Sequence, residues 1–245
     1  MVLVTSTYAI NLCCLIKNAV WGGGNISTCF ATNVTESNST VSEEEQEELN
    51  INPDDLNAAN KTEEDLEGIH IKDHKLPCFP KRMYRRFRRL QAIEFDNSQL
   101  ETVTDEDFRG LLNLRYVSCP RNKFKMLPGR LFRFTPNLQW VKFHGNSLLK
   151  HIGFNLFKHL RKLKEVNLGQ TGCTNTTVTD TTSVATTTGD LLSECPPDPK
   201  DLEEDMNNLE CEWVEGDVVT TTGTNVPSTT TTTTVYQTTT SIIYG

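Results

Sequence analysis

Residues 114–140 read LRYVSCPRNKFKMLPGRLFRFTPNLQW. A cysteine sits in a strand-like run, an asparagine follows three residues later, and a leucine ends the stretch where the pattern restarts. Moved back by 24 residues, Leu114, Val117, Cys119, Asn122, Phe124, Leu127 and Phe132 fall on Leu90, Ile93, Phe95, Ser98, Leu100, Val103 and Phe108. Leu66, Ile69, Ile71, His74, Leu76, Phe79 and Tyr84 repeat the frame upstream. Leu138, Val141, Phe143, Asn146 and Leu148 continue it downstream, before Leu163, Val166, Leu168 and Cys173. Five starts at 66, 90, 114, 138 and 163 leave one residue inserted, expected near Lys150 to Ile152. Fixed self-similarity at this period is the mark of a stacked repeat. In each LxLx core alternate side chains point opposite ways, so Leu, Val, Ile and Phe enter the stack while their neighbours face water. No repeat buries its apolar face alone, and about three or more are needed for a stable stack.

This LxxLxLxxNxL frame followed by FxxLxxL resembles the extracellular leucine-rich repeat family over about residues 66–175. The resemblance implies an α/β solenoid with a parallel β-sheet on its concave face, short helical or irregular convex segments, disulfide-capped ends and disordered tails. It also implies that the asparagine position bonds the backbone of adjacent coils; Asn122 and Asn146 keep it, while His74, Ser98 and Thr171 replace it. Cys119 takes the innermost strand position held elsewhere by Phe95, Phe143 and Leu168, which makes it a buried, unreactive thiol.

By the same resemblance, disulfides close the exposed ends of the stack. Cys173 with Cys195 would cap the C-terminal end, and Cys29 with Cys14 or Cys13 would belong to an N-terminal module like that of secreted insect proteins. Cys78 and Cys211 have no evident partner. Composition divides the chain into a Cys-containing cap region at 1–35, an acidic linker at 36–65, the repeat domain with its cap at 66–195, and an acidic, then Thr-rich, disordered tail at 196–245. Residues 36–76 hold thirteen Asp or Glu against three Lys, and TTTTTTVYQTTT lies near the end. Asn25, Asn33, Asn38, Asn60 and Asn175 are N-glycosylation sequons, none inside the ladder between 66 and 170. The opening MVLVTSTYAINLCCLIK lacks a basic start and reads as a weak signal peptide. No run of eighteen apolar residues marks a transmembrane segment.

Outward strand positions define the first candidate surface: Gly68, His70 and Lys72; Ala92, Glu94 and Asp96; Tyr116, Ser118 and Pro120; Trp140, Lys142 and His144; then Glu165, Asn167 and Gly169. Tyr116 and Trp140 share a column in adjacent coils about 4.8 Å apart, a contiguous aromatic surface of the kind enriched at binding hot spots. The bland reading is that one ring packs on the other to cover the sheet. A second surface is electrostatic, because residues 79–170 carry nineteen Lys or Arg against seven Asp or Glu. Its densest part is Arg82, Arg85, Arg86, Arg88 and Arg89, which suits a sulfated glycan or another polyanion. The competing reading is a solvated face whose counter-charge comes from the chain's own segment Glu43 to Glu67.

Motifs for common enzyme classes, GxSxG, HExxH, GxxxxGK[ST], GxGxxG and paired CxxC, are absent from the sequence. His70 and His74 fall on a strand and a turn, so no metal site is assigned, no cofactor is implied, and no nucleic-acid-binding motif is present. The sequence therefore points to a secreted, non-enzymatic repeat protein that binds a protein partner through its concave face, and the resemblance implies immune or cell-surface recognition. Two other readings stay open: a structural matrix or mucin-like coat component, and a polyanion binder. Nothing in the sequence fixes an oligomeric state.

Overall fold

A computed structural model describes residues 7–39, 49–76, 78–179 and 193–197. Two long strands, β1 (Thr7–Trp21) and β2 (Gly24–Ser39), form a hairpin, followed by β3 (Leu49–Ile51) and a short helix α1 (Pro53–Ala58). The repeats then supply β4 (Gly68–Lys72), β5 (Ala92–Asp96), β6 (Tyr116–Ser118), β7 (Met126–Leu127), β8 (Trp140–Lys142), β9 (His151–Ile152) and β10 (Glu165–Asn167), and β11 (Thr177–Val178) closes the order. Nine strands make one sheet in the order β11-β10-β8-β6-β5-β4-β2-β1-β3, with β7 and β9 paired separately on the returning side of the coils. From β2 through β4, β5, β6 and β8 to β10 every pairing is parallel.

The spine is stacked as the period requires. Leu66, Leu90, Leu114, Leu138 and Leu163 are each at most 3% exposed. Phe79 lies 5.1 Å from both Phe95 and Phe108, and Phe108, Phe132 and Phe157 continue the column at 5.6 and 6.5 Å. Burying each such ring contributes roughly 1.5–3 kcal/mol of transfer free energy, so the phenylalanine column is a major part of what holds the coils together. At the turns, Asn122 Oδ1 accepts from the amides of Ser98 and Leu100 at 2.9 and 3.1 Å, and its Nδ2 donates to the carbonyls of Phe95 and Pro120. Asn146 Nδ2 donates to the carbonyls of Phe143 in its own coil and Cys119 in the preceding one. Pro120 lies past the end of β6, so no ladder bond is lost to it.

The inserted residue lies earlier than expected. Met126 pairs with His151, an offset of 25, whereas Ser118 pairs with Lys142, an offset of 24. Leu149 is fully buried and Leu148 is 45% exposed, so Leu149, not Leu148, takes the core position. Likewise Met83 is the fully buried residue ahead of Phe87, and Tyr84 packs at the core's margin.

Residues 49–65, read from composition as part of a solvated linker, belong to the fold. Leu49 and Ile51 are buried in β3, which pairs parallel with β1, and Leu56 is buried on α1. Asn52 caps this helix through its Oδ1, which accepts from Asp54 N at 2.9 Å, and Pro53 occupies the first turn. The acidic residues serve as acceptors for amides that the short strands leave unpaired. Asp55 takes Cys14 N at 2.7 Å and Glu63 takes Ile51 N at 3.2 Å, and just past the segment Glu67 takes Ser27 N at 3.2 Å. Ile10, Leu12 and Cys14 of β1 are buried, so the weakly leader-like opening contributes to the N-terminal module's core.

Cys14 is bonded to Cys29 across the hairpin and Cys173 to Cys195 at the other end, with Cα–Cα distances of 5.3 and 5.2 Å. Cys13 remains a half-buried free thiol and Cys119 a fully buried one. Cys78, which has no evident partner in the sequence, is disulfide-bonded. The first part of the Thr-rich run after Cys173 forms β11, antiparallel to β10, with Val178 buried. Asn38's side chain, Cys211, residues 40–48 and the tail beyond residue 197 lie outside the described residues.

Candidate functional site

The outward strand positions form the columns the alternation requires. Gly68, Ala92, Tyr116, Trp140 and Glu165 are register partners, as are His70, Glu94, Ser118, Lys142 and Asn167. Strand β2 extends both columns, placing Thr28 beside Gly68 and Phe30 beside His70. The concave face is therefore one coil longer than the repeats alone define.

Its aromatic column is shared with the N-terminal hairpin. Gly22 and Gly23 make the two-residue turn, with φ of +52° and +92°, the conformation that a type I′ hairpin turn requires at both positions. This turn carries Trp21 over the concave sheet. Its ring lies 5.0 Å from Tyr116 and 6.1 Å from His70, and its Nε1 donates to Thr28 Oγ1 at 2.9 Å. The column accommodates it because coils one and two present Gly68 and Ala92 there. A side chain at Gly68 would meet Thr28 Oγ1 at 2.6 Å, and one at Gly22 would meet the Trp140 ring at 2.5 Å. Tyr116 and Trp140 lie 6.4 Å apart and tilted, both half-buried. The rings thus do two things at once: they seat the hairpin tip and leave a part-exposed aromatic surface.

Beside this column the charges are paired. Lys142 Nζ reaches Glu165 at 3.0 Å and lies 5.5 Å over the Tyr116 ring. Burial works against its charge, but the hydrogen bond to Glu165 and the neighbouring Tyr116 outweigh that, and its pKa is raised. Arg121 grips Asp96 through two guanidinium nitrogens, which raises the arginine further. Glu94 is pushed up by burial first and by Asp96 second. His70 is pushed down by burial, and His144 by burial with the positive charges of Lys142 and Arg121. Both imidazoles are thereby biased toward the neutral form. Burial also drives the Cys119 thiol far up, consistent with its reading as unreactive.

The five basic residues at 82–89 do not share this face. Arg86 meets Glu63 at 3.1 Å, Arg88 meets Glu64 at 3.6 Å and Arg89 meets Asp65 at 3.7 Å. Of the sequons, Asn25, Asn33, Asn60 and Asn175 are exposed, and Asn175 Oδ1 accepts from Gln170 N at 2.8 Å. Among the described residues no group of three or more His, Cys, Asp or Glu is placed to hold a metal ion, and no helix is long and apolar enough to cross a membrane.

Sequence reasoning missed Trp21, Thr28 and Phe30 because they lie outside the repeat frame. The run WGGG followed by a Thr-Cys-Phe strand was the available signal, together with the two smallest residues of the first column, Gly68 and Ala92.

The frame, the parallel ladder and the asparagine turns define a solenoid of the leucine-rich repeat type. No known family profile matches the chain. Among solved structures, it is similar over 44% of its length to 14% of a chain in the structure of the Toll–Spatzle complex, described as a hub in Drosophila development and innate immunity, with 24% identity and a TM-score of 0.41. The glycosylated form of that complex matches over 52% of this chain and 17% of its own, with 22% identity and a TM-score of 0.39. The chain spans about a seventh to a sixth of the length of those chains.

Proposed function

We propose that this chain is an extracellular module that binds a partner protein through its concave face and carries out no catalysis. The observation that carries this reading is the continuous, part-exposed run Phe30, His70, Trp21, Tyr116 and Trp140 laid across five adjacent strands and the hairpin tip. Rigid aromatics offer large contact area at low entropic cost, and Lys142, Glu94, Asp96 and His144 supply polar contacts around them. The two cross-linked ends suit an oxidising compartment. The ion pairs of Arg86, Arg88 and Arg89 argue against the convex arginines as a polyanion site, since counter-charge is already supplied.

The test is capture of a partner from extracellular fluid on immobilised chain. Tyr116→Ala combined with Trp140→Ala should weaken capture by more than about thirtyfold, as truncation of two central hot-spot aromatics does. Undiminished capture by the correctly folded double variant would end this reading.

A further inference from the structure

We propose that the cleft beneath the hairpin tip seats an acidic side chain from an extended segment of the partner protein; this rests on the protein-recognition reading above. The cleft has a volume of about 250 Å³ and is walled by Trp21, Gly22, Tyr116 and Trp140, with Arg115 and Lys164 at its rim. Its rim is part of the row of residues immediately ahead of the strands, Gln91, Arg115, Gln139 and Lys164, which Glu67 extends just outside the cleft. Glu67, the one acid of the row, is occupied. Its Oε1 accepts from Gln91 Nε2 at 2.6 Å and its Oε2 from Ser27 N.

That leaves Arg115 and Lys164, separated by Gln139, as the charges facing the opening. Neither has an acidic partner among the described residues. In contrast, Arg86, Arg109, Arg121, Arg133 and Lys142 each lie within 4 Å of a carboxylate. Lys164 is also positioned: its ammonium sits 4.8 Å over the Trp140 ring, which holds the charge at the rim. A carboxylate entering here would meet two cations and an amide donor, and its flanking apolar groups would lie against Trp21, Tyr116 and Trp140. Gly22 and Gly23 lie beyond the last ladder pair, Trp21 with Gly24, so their backbone groups are available to an extended chain. Aromatic walls together with free main-chain groups favour a peptide segment over a sulfated glycan.

The probe is a phage-displayed library of random short peptides, selected on the full chain. The enriched pool should be rich in Asp and Glu adjoining an apolar or aromatic residue. The double variant R115Q/K164Q should recover at least about tenfold less of that pool, the loss expected when a charge-assisted hydrogen bond is removed. R130Q/K150Q, which removes the same charge from exposed positions elsewhere, should recover it unchanged. A neutral or basic pool, no enrichment, or equal losses in both variants would overturn the proposal. So would binding of a heparin-derived sulfated oligosaccharide that R115Q/K164Q abolishes while peptide recovery stays intact, because the cleft would then serve a glycan. If partner capture from extracellular fluid survives R115Q/K164Q but not the Tyr116 and Trp140 truncations, concave-face recognition stands and the acidic seat alone falls.

Discussion

The molecule carries two basic regions that look alike in composition and differ in what surrounds them. Arg86, Arg88 and Arg89 project toward a folded acidic segment, whose Glu63, Glu64 and Asp65 meet them one for one. Arg115 and Lys164 stand at the rim of an aromatic cleft, and the nearby acids are already engaged, Glu67 by Ser27 and Gln91 and Glu165 by Lys142. Three arginines of the denser cluster are therefore matched by carboxylates, while the sparser pair has no such match among the described residues. Charge density along a sequence measures what must be balanced, and the fold decides where the balance is left incomplete.

Both regions depend on the shared spine, so the largest expected effect erases the comparison altogether. Leu114→Ala removes a fully buried side chain from the middle of the stack. It should cost about 2–5 kcal/mol, read as a fall in the midpoint of urea unfolding; a loss under about 1 kcal/mol would show that Leu114 does not support neighbouring coils. Next in size, Trp21→Ala strips one wall from the concave cleft while leaving the arginine cluster untouched. Partner capture should weaken by about tenfold, in line with loss of an interface aromatic, and stronger capture would instead identify the hairpin tip as a cover over the face. On the convex side, Arg88→Ala breaks an ion pair between two exposed side chains, and its thermal unfolding should shift by less than about 1 kcal/mol.

The smallest effect concerns pH. Burial, with Asp96 second, raises the Glu94 pKa in the folded chain above its ordinary value of 4.5. The fold therefore holds that proton to higher pH than the unfolded chain does, and stability falls as pH rises from about 4.5 through the folded pKa. Glu94→Gln should flatten that decline in unfolding curves taken across the window, whereas an unchanged slope would show that Glu94 is not its source.

Much of this was legible before any coordinates. The seven-position frame predicted the leucine and phenylalanine columns, and the two-residue alternation predicted which side chains line the concave sheet. The position of the inserted residue was not, because Leu148 and Leu149 are chemically identical neighbours and only the pairing of β7 with β9 shows which one turns inward. The segment 49–65 misled for a different reason. Its many carboxylates read as a chain that prefers water, yet its Asp55 and Glu63, with Glu67 just beyond, accept backbone amides that would otherwise be unpaired at the solenoid's end. Trp21 escaped notice because no periodic partner announces it, and its position depends on a turn and on two small residues in separate coils. The concave-face residues Tyr116, Trp140 and Lys142 were named from the pattern, while Arg115 and Lys164 sit one place ahead of the strands, where the repeat gives no hint of what overhangs them.

The crossing of the hairpin tip over Trp140 has a practical corollary. Of three tryptophans in the chain, two line the same cleft, with a tyrosine 5.0 Å from one of them. Any molecule that enters there displaces water from both indoles, so the protein's ultraviolet emission should shift in colour and intensity on occupancy and act as an unlabelled gauge of it.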